Sequence, residues 1–254
     1  MFTFNERTNL LERQEFNYPL QDVKEPNLYR TLYNYEEVPK IAFNHRIVPI
    51  DMPDEIWITD TTFRDGQQSR EPYTVEQISR IFDMLHRLSG PKGIIRQSEF
   101  FIYTKKDQEA VYKCLEKGYK FPEVTTWIRA SKKDFELAKS IGIQETGILV
   151  SCSDYHIFYK MNMTRSEIIK HYIDVISQCI ETGIRPRCHF EDITRADFYG
   201  FVVPFASELM KLSKDTGVPI KIRACDTMGY GITFPGTVLP RSVQGIIYGL
   251  HHHA

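Results

Sequence analysis

The chain has 254 residues, of which 42% are hydrophobic and 26% charged, with a formal net charge of −1. That balance is typical of a globular domain and excludes a strongly basic surface for nucleic acid or an anionic membrane. No apolar run approaches the roughly 20 residues of a membrane span, the polar stretch Met1–Arg13 is not a secretory signal, and five scattered cysteines predict reduced thiols in a cytoplasmic protein.

The first 52 residues are predicted to be an N-terminal extension. They are polar, rich in Asn, Glu and Tyr, and interrupted by several prolines. Because no amphipathic repeat is sustained there, we expect irregular structure with one short helix, lying across a main domain of residues 53–254.

From residue 56 onwards, short apolar runs alternate with amphipathic runs of helical period. This alternation predicts six strand-then-helix units. The predicted strands are 56–59, 93–101, 124–129, 146–152, 185–192 and 218–225. The predicted helices are 74–88, 105–117, 131–141, 164–182, 198–214 and 242–250. Capping boxes are predicted to open two of these helices, at Thr74 and at Thr164.

Strands that alternate with helices predict parallel pairing through right-handed crossovers. A doubly wound sheet and a (β/α)8 barrel both fit this pattern. The turn after the first strand lacks Gly-x-Gly-x-x-Gly, so a dinucleotide site is unsupported. Polar residues follow several strands, as they do in a barrel whose active site is built from all the loops at one face. We therefore predict an α/β fold of the (β/α)8 TIM-barrel type, incomplete, with about six β/α units and an N-terminal extension.

Polar motifs stand at the ends of five predicted strands. In chain order they are Asp60-Thr61-Thr62-Phe63-Arg64-Asp65-Gly66-Gln67-Gln68, Gln97-Ser98-Glu99, Ser153-Asp154-Tyr155-His156, Phe190-Glu191-Asp192 with Arg195, and Asp226-Thr227-Met228-Gly229-Tyr230. Independent turns would not need to align at the same phase of successive units. In a barrel, these motifs would converge on one mouth.

Each motif also has an interpretation without chemistry. The first is typical of an ordinary turn, and His156 could be a hydrogen-bonded loop histidine. The motif around Glu191 could be a strand-end salt bridge, and the last motif could cap the segment that follows it.

The set of motifs resembles the metallolyase superfamily of HMG-CoA lyase. The first motif is specific, and the later ones follow in the family's order over roughly residues 56–254. Within the superfamily the chain is most similar to the Claisen-condensing synthases. These are the isopropylmalate, homocitrate and citramalate synthases and the related Re-type citrate synthases.

The resemblance implies roles for seven residues. Arg64 matches the arginine that polarises the keto oxygen and stabilises oxyanion charge, and Asp65 matches the metal-ligating carboxylate. Two further catalytic roles are implied: Glu191 matches a strand glutamate, and Thr227 matches a threonine at the keto acid's carboxylate. Three substrate-binding roles are implied as well. Gln68 matches the closing amide of the first motif, His156 a histidine near the keto acid, and Arg195 an arginine for a distal carboxylate.

The implied reaction condenses acetyl-CoA with a 2-keto acid such as oxaloacetate or 2-oxoglutarate at a divalent metal, Mg²⁺, Mn²⁺ or Zn²⁺. A base removes a methyl proton from acetyl-CoA, the enolate attacks the ketone, and hydrolysis of the thioester makes the reaction irreversible. The implied partners are these small molecules, with no nucleic acid and no membrane, and the full-length form is expected to be a homodimer.

Two departures from the family pattern set further expectations. On the second strand, Gln97 takes the place of the family's glutamate and Glu99 that of its glycine, which favours the Re-type branch. The family's His-x-His of a seventh strand is missing, and His251–His253 are interpreted as residues of a helix end.

The chain is therefore expected to be the N-terminal two-thirds of a synthase domain, with Asp65 alone of the metal ligands and without full activity. Two alternatives stay open at this stage. One is a metal-dependent carbon–carbon lyase of the same superfamily. The other is a non-catalytic fragment that completes a barrel with a partner, because its edge strands would demand pairing.

Overall fold

A computed structural model describes residues 2–7, 10–13, 18–30, 53–129, 131–234 and 237–254. The strands within them are β1 (Phe2–Asn5), β2 (Leu10–Arg13), β3 (Ile58–Asp60), β4 (Ile95–Phe100), β5 (Glu123–Ile128), β6 (Glu145–Ser151), β7 (Arg185–Glu191) and β8 (Lys221–Ala224). The α-helices are α1 (Val75–Ser89), α2 (Lys105–Leu115), α3 (Lys132–Ile141), α4 (Arg165–Glu181), α5 (Val203–Thr216) and α6 (Val243–His253). Two segments are π-helical, Tyr155–Lys160 and Phe198–Val202.

Strands β3 to β8 form one six-stranded sheet in the order of the sequence. The pairs β3–β4, β4–β5 and β5–β6 are parallel, and one helix follows each of the six strands. A doubly wound sheet would reverse its strand order at a switch point, and this sheet does not. The fold is therefore of the (β/α)8 barrel type with six β/α units, which confirms the predicted class.

The chain divides into two compact units. We call Pro53–Ile148 with Val175–Arg187 the Arg64 unit. We call Met1–Met52, Leu149–Asp174 and Cys188–Ala254 the His156 unit. The two are described separately below.

Aromatic packing in the Arg64 unit fixes the backbone of the first motif. Ile78 and Phe82 lie one turn apart on α1 and are buried, as their helical spacing requires. The ring of Phe100 on β4 lies 6.0 Å from the ring of Phe82 and 4.8 Å from the ring of Phe63. Because Phe63 is buried and immediately precedes Arg64, the core anchors the start of the turn.

A second aromatic cluster does the same work in the His156 unit. Phe190 on β7 stacks against Phe205 on α5 at 5.1 Å, and Tyr172 on α4 lies 5.8 Å from Phe205. The hydroxyl of Tyr172 accepts a hydrogen bond from the backbone N–H of Ser151 at 2.9 Å. These contacts fix the end of β6 and, because Phe190 precedes Glu191, the end of β7.

Helix boundaries follow the signals read from the sequence. The predicted capping boxes at Thr74 and Thr164 are both present, each closed by reciprocal hydrogen bonds with the residue three positions later. A third capping box opens α2 at Thr104 and was not predicted. Gly142 ends α3 with φ of 95°, a left-handed conformation that glycine adopts without strain.

The N-terminal extension differs from the prediction in its described part. β1 and β2 pair antiparallel, with Phe2 opposite Arg13, where irregular structure was expected. The apolar–polar alternation of Phe2 to Asn5 is a strand pattern, but four residues are too few to distinguish it by periodicity. Residues 18–30 contain no helix. Residues 31–52 lie outside the described residues, and so does the test of the predicted short helix there.

All five cysteines are free thiols, and four of them are buried. Burial raises the pKa of Cys114 and of Cys179 to about 12, so these thiols stay protonated and pack as small apolar groups. No helix of the described ranges has both the length and the apolar content that a bilayer crossing demands.

Candidate active site

The first motif forms a closed turn at the end of β3. The backbone N–H groups of Arg64 and Gly66 both donate to the carbonyl of Thr61, at 3.0 and 3.2 Å. The carboxylate of Asp60 accepts from the hydroxyls of Thr62 and Ser98, at 2.6 and 2.7 Å. These bonds give the turn a fixed conformation, so the side chains that follow start from a rigid base.

The Arg64 guanidinium is held by three contacts. Its Nε donates to Oε2 of Glu99 at 2.8 Å, and its Nη1 pairs with Oδ1 of Asp65 at 2.7 Å. Its carbon lies 4.9 Å from the centre of the Trp127 ring, over the ring face. The side chain is 12% exposed, and within the described ranges no group accepts from Nη2. A planar cation is therefore fixed in place with one nitrogen left to meet a ligand oxygen.

Asp65 alone does not make a metal site. Its side chain is 48% exposed, and one of its oxygens is paired with Arg64. Across the described ranges, no three His, Cys, Asp or Glu side chains are grouped so that they could hold an ion. Zn²⁺ sites use at least three protein ligands, and Mg²⁺ needs an octahedral shell of oxygens. The residues that the structure describes therefore do not fit a complete metal centre.

The closing amide of the first motif, Gln68, is exposed to solvent. Its backbone N–H bonds to the Asp65 carbonyl at 3.1 Å, while its side chain has no described partner. The neighbouring Gln67 makes the side-chain contacts instead. It donates to the carbonyl of Phe63 at 2.5 Å and accepts from the backbone N–H of Tyr73 at 2.9 Å. Gln67 therefore stabilises the turn, and Gln68 faces solvent.

The two unusual residues of β4 lie on one face of that strand, and both are buried. Glu99 accepts hydrogen bonds from Arg64 and from Arg187, and is fully buried between them. Gln97 accepts from Arg187 at 2.5 Å and donates to Glu145 at 2.7 Å. The carboxylate that the family pattern places at position 97 thus stands one strand repeat further along, at position 99.

In the His156 unit, Glu191 collects three hydrogen bonds on one oxygen. Its Oε2 accepts from Oγ of Ser151 at 2.8 Å, Nδ1 of His156 at 3.0 Å and Nζ of Lys160 at 3.0 Å. Burial alone would raise the pKa of Glu191, but the three donors outweigh it and lower the pKa to about 2. An ionised carboxylate only accepts, so Nδ1 of His156 carries the proton of this bond. Nε2 lies 3.9 Å from Oδ2 of Asp192.

The segment that carries His156 is a π-helical turn. The backbone N–H of Met161 donates to the carbonyl of His156 at 2.8 Å, five residues back. The widened turn lets both His156 and Lys160 reach Glu191. Single π turns often occur at functional sites. The sequence analysis identified His156 but not Lys160, because no sequence signal marks a π turn.

Arg195 lies on the carboxylate of Asp192. Its Nε donates to Oδ1 at 2.8 Å and its Nη2 to Oδ2 at 2.5 Å, while its carbon lies 4.2 Å from the centre of the Tyr155 ring. Asp192 is fully buried, has φ of 64°, and also accepts from the Ser153 hydroxyl at 2.5 Å. The strand-end salt bridge considered from the sequence is thus the observed geometry of this pair. A ligand carboxylate at Arg195 would share the guanidinium with Asp192.

The last motif combines a cap with a free donor. Asp226 accepts from the backbone N–H groups of Tyr230 and Gly231, at 2.9 and 2.8 Å, which is the capping interpretation. The hydroxyl of Thr227 accepts from the backbone N–H of Asp192 at 2.8 Å. A hydroxyl that accepts one bond still has its own hydrogen to donate, so Thr227 keeps a donor for a ligand.

The seven predicted site residues fall into two groups. Within the Arg64 unit, Arg64 contacts Asp65, and Gln68 stays apart. Within the His156 unit, His156 contacts Glu191, and Asp192 links Arg195 to Thr227. Three residues of these two groups were not predicted. Trp127 and Lys160 contact Arg64 and Glu191, and Arg187 contacts Glu99. Only their places on or just after predicted strands could have suggested them.

Comparison with known proteins agrees with the resemblance seen in the motifs. Citrate (Re)-synthase of Clostridium kluyveri is 60% identical over 242 residues, which cover 95% of this chain and 53% of that protein. Citrate (Re)-synthase of Syntrophus aciditrophicus is 56% identical over 232 residues, covering 91% of this chain and 37% of that protein. This chain thus spans about half the length of the first relative and less of the second.

Among solved structures, a hydroxymethylglutaryl-CoA lyase from Pseudomonas aeruginosa aligns with a TM-score of 0.48 at 18% identity, over 72% of this chain and 61% of that one. The HMGL-like family model matches residues 55–253, from just before β3 to the end of α6. With the strand-end motifs in the family's order and two relatives above half identity, the chain belongs to the HMGL-like family.

Proposed function

We propose that this chain carries the substrate-activating residues of a synthase that condenses acetyl-CoA with oxaloacetate to form citrate. Its relatives of 60% and 56% identity are citrate (Re)-synthases, which supports both the reaction and the choice of keto acid. The residues of each unit have separate chemical tasks in this proposal. Residues 53–254 form the catalytic domain, and residues 1–52 are an extension to it.

The observation that carries the proposal is the arrangement around Arg64. Attack on a ketone turns its oxygen into an alkoxide, and a donor already fixed at that oxygen stabilises the developing charge without rearranging. Arg64 is fixed by Glu99, Asp65 and the face of Trp127, and its Nη2 has no acceptor within the described ranges. We assign Nη2 as the donor to the keto oxygen of oxaloacetate.

Proton removal falls to the pair of His156 and Glu191. A carboxylate with a pKa of about 2 is too weak a base to take a methyl proton at neutral pH. Ionised Glu191 instead holds the His156 ring through Nδ1–H, which leaves the lone pair of Nε2 to accept the proton. The imidazolium that results is then stabilised by the carboxylate beside it. Glu191 is thus the orienting partner and His156 the base.

Three further residues have substrate-binding roles in this proposal, two in the His156 unit and one in the Arg64 unit. Thr227 keeps a hydroxyl hydrogen to donate to the carboxylate next to the ketone. Arg195, although paired with Asp192, presents a guanidinium that a second carboxylate can share. Gln68 is exposed and offers its amide to a ligand that reaches the turn. Oxaloacetate, a dicarboxylate, matches the two sites for carboxylates.

The proposal includes one ligand for the divalent ion that the family uses. Asp65 would supply a carboxylate oxygen to Mg²⁺, Mn²⁺ or Zn²⁺. Because the described residues do not complete a shell around it, neither of the steps above depends on that ion. The proposal also includes a cytoplasmic location, which the five free thiols support. It includes a homodimeric assembly.

The test measures citrate and free CoA formed from acetyl-CoA and oxaloacetate by the purified protein and by Arg64→Met. Loss of a fixed donor to an oxyanion typically costs about 10²- to 10³-fold in rate, and we expect a loss of that size. Arg70→Met is the matched control, because Arg70 is an exposed arginine in the same turn region whose hydrogen bonds within the described ranges go to its neighbours Glu71 and Tyr73.

Two results would contradict the proposal. One is equal turnover by the protein and by Arg64→Met. The other is release of acetyl-CoA from a 3-hydroxyacyl-CoA without any condensation, since this would make the protein a lyase.

A further inference from the structure

We propose that Arg187 is a positioning residue for Arg64, and that it acts through Glu99. This inference rests on the proposed function, because Arg64 is there the donor to the keto oxygen. All the contacts involved lie within the Arg64 unit. From the exposed Asp65 inwards, anion and cation alternate through Arg64 and Glu99 to Arg187.

The two oxygens of Glu99 are each held by a different arginine. Oε2 accepts from Nε of Arg64 at 2.8 Å, and Oε1 accepts from Nη2 of Arg187 at 2.5 Å. A carboxylate bonded through one oxygen can still rotate about its last torsion, which has a broad energy profile. Bonding of the second oxygen removes that rotation. The plane of the Glu99 carboxylate, and with it the direction of the Arg64 Nε–H bond, is therefore set by Arg187.

Arg187 is in turn fixed at its other nitrogen. Its Nη1 donates to Oε1 of Gln97 at 2.5 Å and to Oε1 of Glu145 at 2.9 Å. The side chain is only 3% exposed, so water does not compete for these bonds. A guanidinium held at both Nη atoms has a defined plane and cannot swing aside. The position of Arg64 thus depends on strands β4, β6 and β7, which are regular and hydrogen-bonded.

Stability alone does not explain this arrangement. Replacing a buried ion pair or triad by apolar side chains of similar volume is often neutral or stabilising. An apolar triad at positions 99, 145 and 187 would therefore satisfy the fold equally well. Such a triad could not hold the Nε of Arg64, whose guanidinium lies next to the exposed Asp65.

Arg185, a nearby arginine of the same strand, provides a comparison for Arg187. Arg185 lies two residues before Arg187 on the same face of β7 and pairs with Glu123 at 2.6 Å. It is 42% exposed, its Nε lies 3.8 Å from Oε2 of Glu145, and it makes no contact with Glu99 or Arg64 in the described structure. Arg185 is therefore a matched control that removes an arginine without removing support from Arg64.

The experiment compares Glu99→Gln, Arg187→Met, the double variant Glu145→Gln/Arg187→Met, which keeps the bond between Glu99 and Arg64, and the control Arg185→Met. All carry Trp57→Phe, which leaves Trp127, the ring under Arg64, as the single tryptophan. The double variant removes a buried charge of each sign and is expected to fold even where a single variant does not. Arg64 is followed by two readouts that need no turnover. These are the exchange rate of its Nε–H with water by NMR and the emission of Trp127. Oxaloacetate affinity is measured by the same emission.

We expect the free energy of unfolding of the double variant to lie within the range of the control. Its Arg64 Nε–H should exchange at least tenfold faster, and its Kd for oxaloacetate should rise at least tenfold. A merely structural role for Arg187 would leave both readouts at the control's values once stability is restored. Unchanged exchange and unchanged affinity in a folded double variant overturn the inference. If the parent protein shows no oxaloacetate binding while Arg64 exchange still accelerates, the positioning role stands and the proposed function fails.

Discussion

The two units of this protein place the charges of their candidate site residues in different surroundings. In the Arg64 unit the supporting charges sit on the strands themselves, as Glu99, Glu145 and Arg187, and are almost inaccessible to water. In the His156 unit the supporting group Lys160 sits on the π turn after β6 and is 48% exposed. One unit therefore fixes its cation with buried partners, and the other tunes its carboxylate with partners that include an accessible ammonium.

The buried and the accessible arrangement suit different chemical roles. A buried network gives one geometry and loses much when one member is removed, because the remaining charge is left without a partner. An exposed donor costs little to remove and responds to pH and salt. A fixed donor for an oxyanion fits the first kind, and a base that must gain and lose a proton fits the second.

The largest effect is expected from Arg187→Met alone. It leaves the buried carboxylates of Glu99 and Glu145 without their shared cation, which should lower the free energy of unfolding by about 3–5 kcal/mol. Urea unfolding followed by circular dichroism measures this. Arg185→Met, at a half-exposed site of the same strand, should cost less than about 1 kcal/mol. Equal losses in the two variants would remove the distinction between buried and accessible charge.

A loss of about 3 kcal/mol is expected from Arg165→Met, because it too breaks a buried pair. Arg165 is fully buried, donates to Asp154 at 2.9 and 2.7 Å, and also donates to the carbonyl of Gln21 at 3.0 Å. Hydrogen exchange should therefore rise across residues 18–30. Ser166→Ala, which removes an exposed bond to Asp22, is the control. Unchanged protection of residues 18–30 in Arg165→Met would contradict this assignment.

Glu191→Gln should remove a pH-dependent part of the stability. The pKa of Glu191 is lowered from 4.5 to about 2, so its contribution is complete above pH 4.5 and disappears as the pH falls to about 2. By linkage the shift corresponds to about 3 kcal/mol at neutral pH, part of which the neutral amide retains. The difference in unfolding free energy between the protein and the variant, measured from pH 2.5 to 6, should grow with pH. A difference that is independent of pH would contradict the lowered pKa.

The smallest effect is expected from Lys160→Met. This half-exposed ammonium should contribute less than about 1 kcal/mol to stability, and less still at high salt. Its removal takes away one of the donors that lower the pKa of Glu191, so that pKa should rise. A ¹³C titration of the Glu191 carboxyl measures the shift. No change in that pKa would place the control of Glu191 with His156 and Ser151 alone.

Much of the fold could be predicted because each element of a β/α unit has its own local signal. The caps at Thr74 and Thr164 marked helix starts that the structure reproduces. The first strand shows the limit. It was predicted at 56–59 but spans Ile58–Asp60, because ladder pairing begins only where the N–H of Ile58 meets the carbonyl of Ile94. Ile56 and Trp57 are apolar but exposed, and periodicity cannot distinguish an apolar residue within a strand from one that precedes it.

The site was predictable at strand ends and not beyond them. Arg64, Asp65, His156 and Glu191 were found because motifs of the same phase follow successive strands. Their partners were not found, since Glu99 and Arg187 are 88 residues apart and no periodic pattern links them. Arg195 shows the reverse difficulty. The sequence was compatible with both a carboxylate-binding arginine and a strand-end salt bridge, and the structure shows the salt bridge with Asp192, three residues earlier.

The long sequence separation between Glu99 and Arg187 has a consequence for how the sheet assembles. Any partly folded form that contains β4 to β6 but lacks β7 brings Glu99 and Glu145 together without Arg187, the cation that they share, and burying them so is costly. Such forms are thereby disfavoured relative to both the unfolded chain and the complete set of strands. The network thus couples β4, β6 and β7 into one cooperative step and selects against a sheet that stops short of β7.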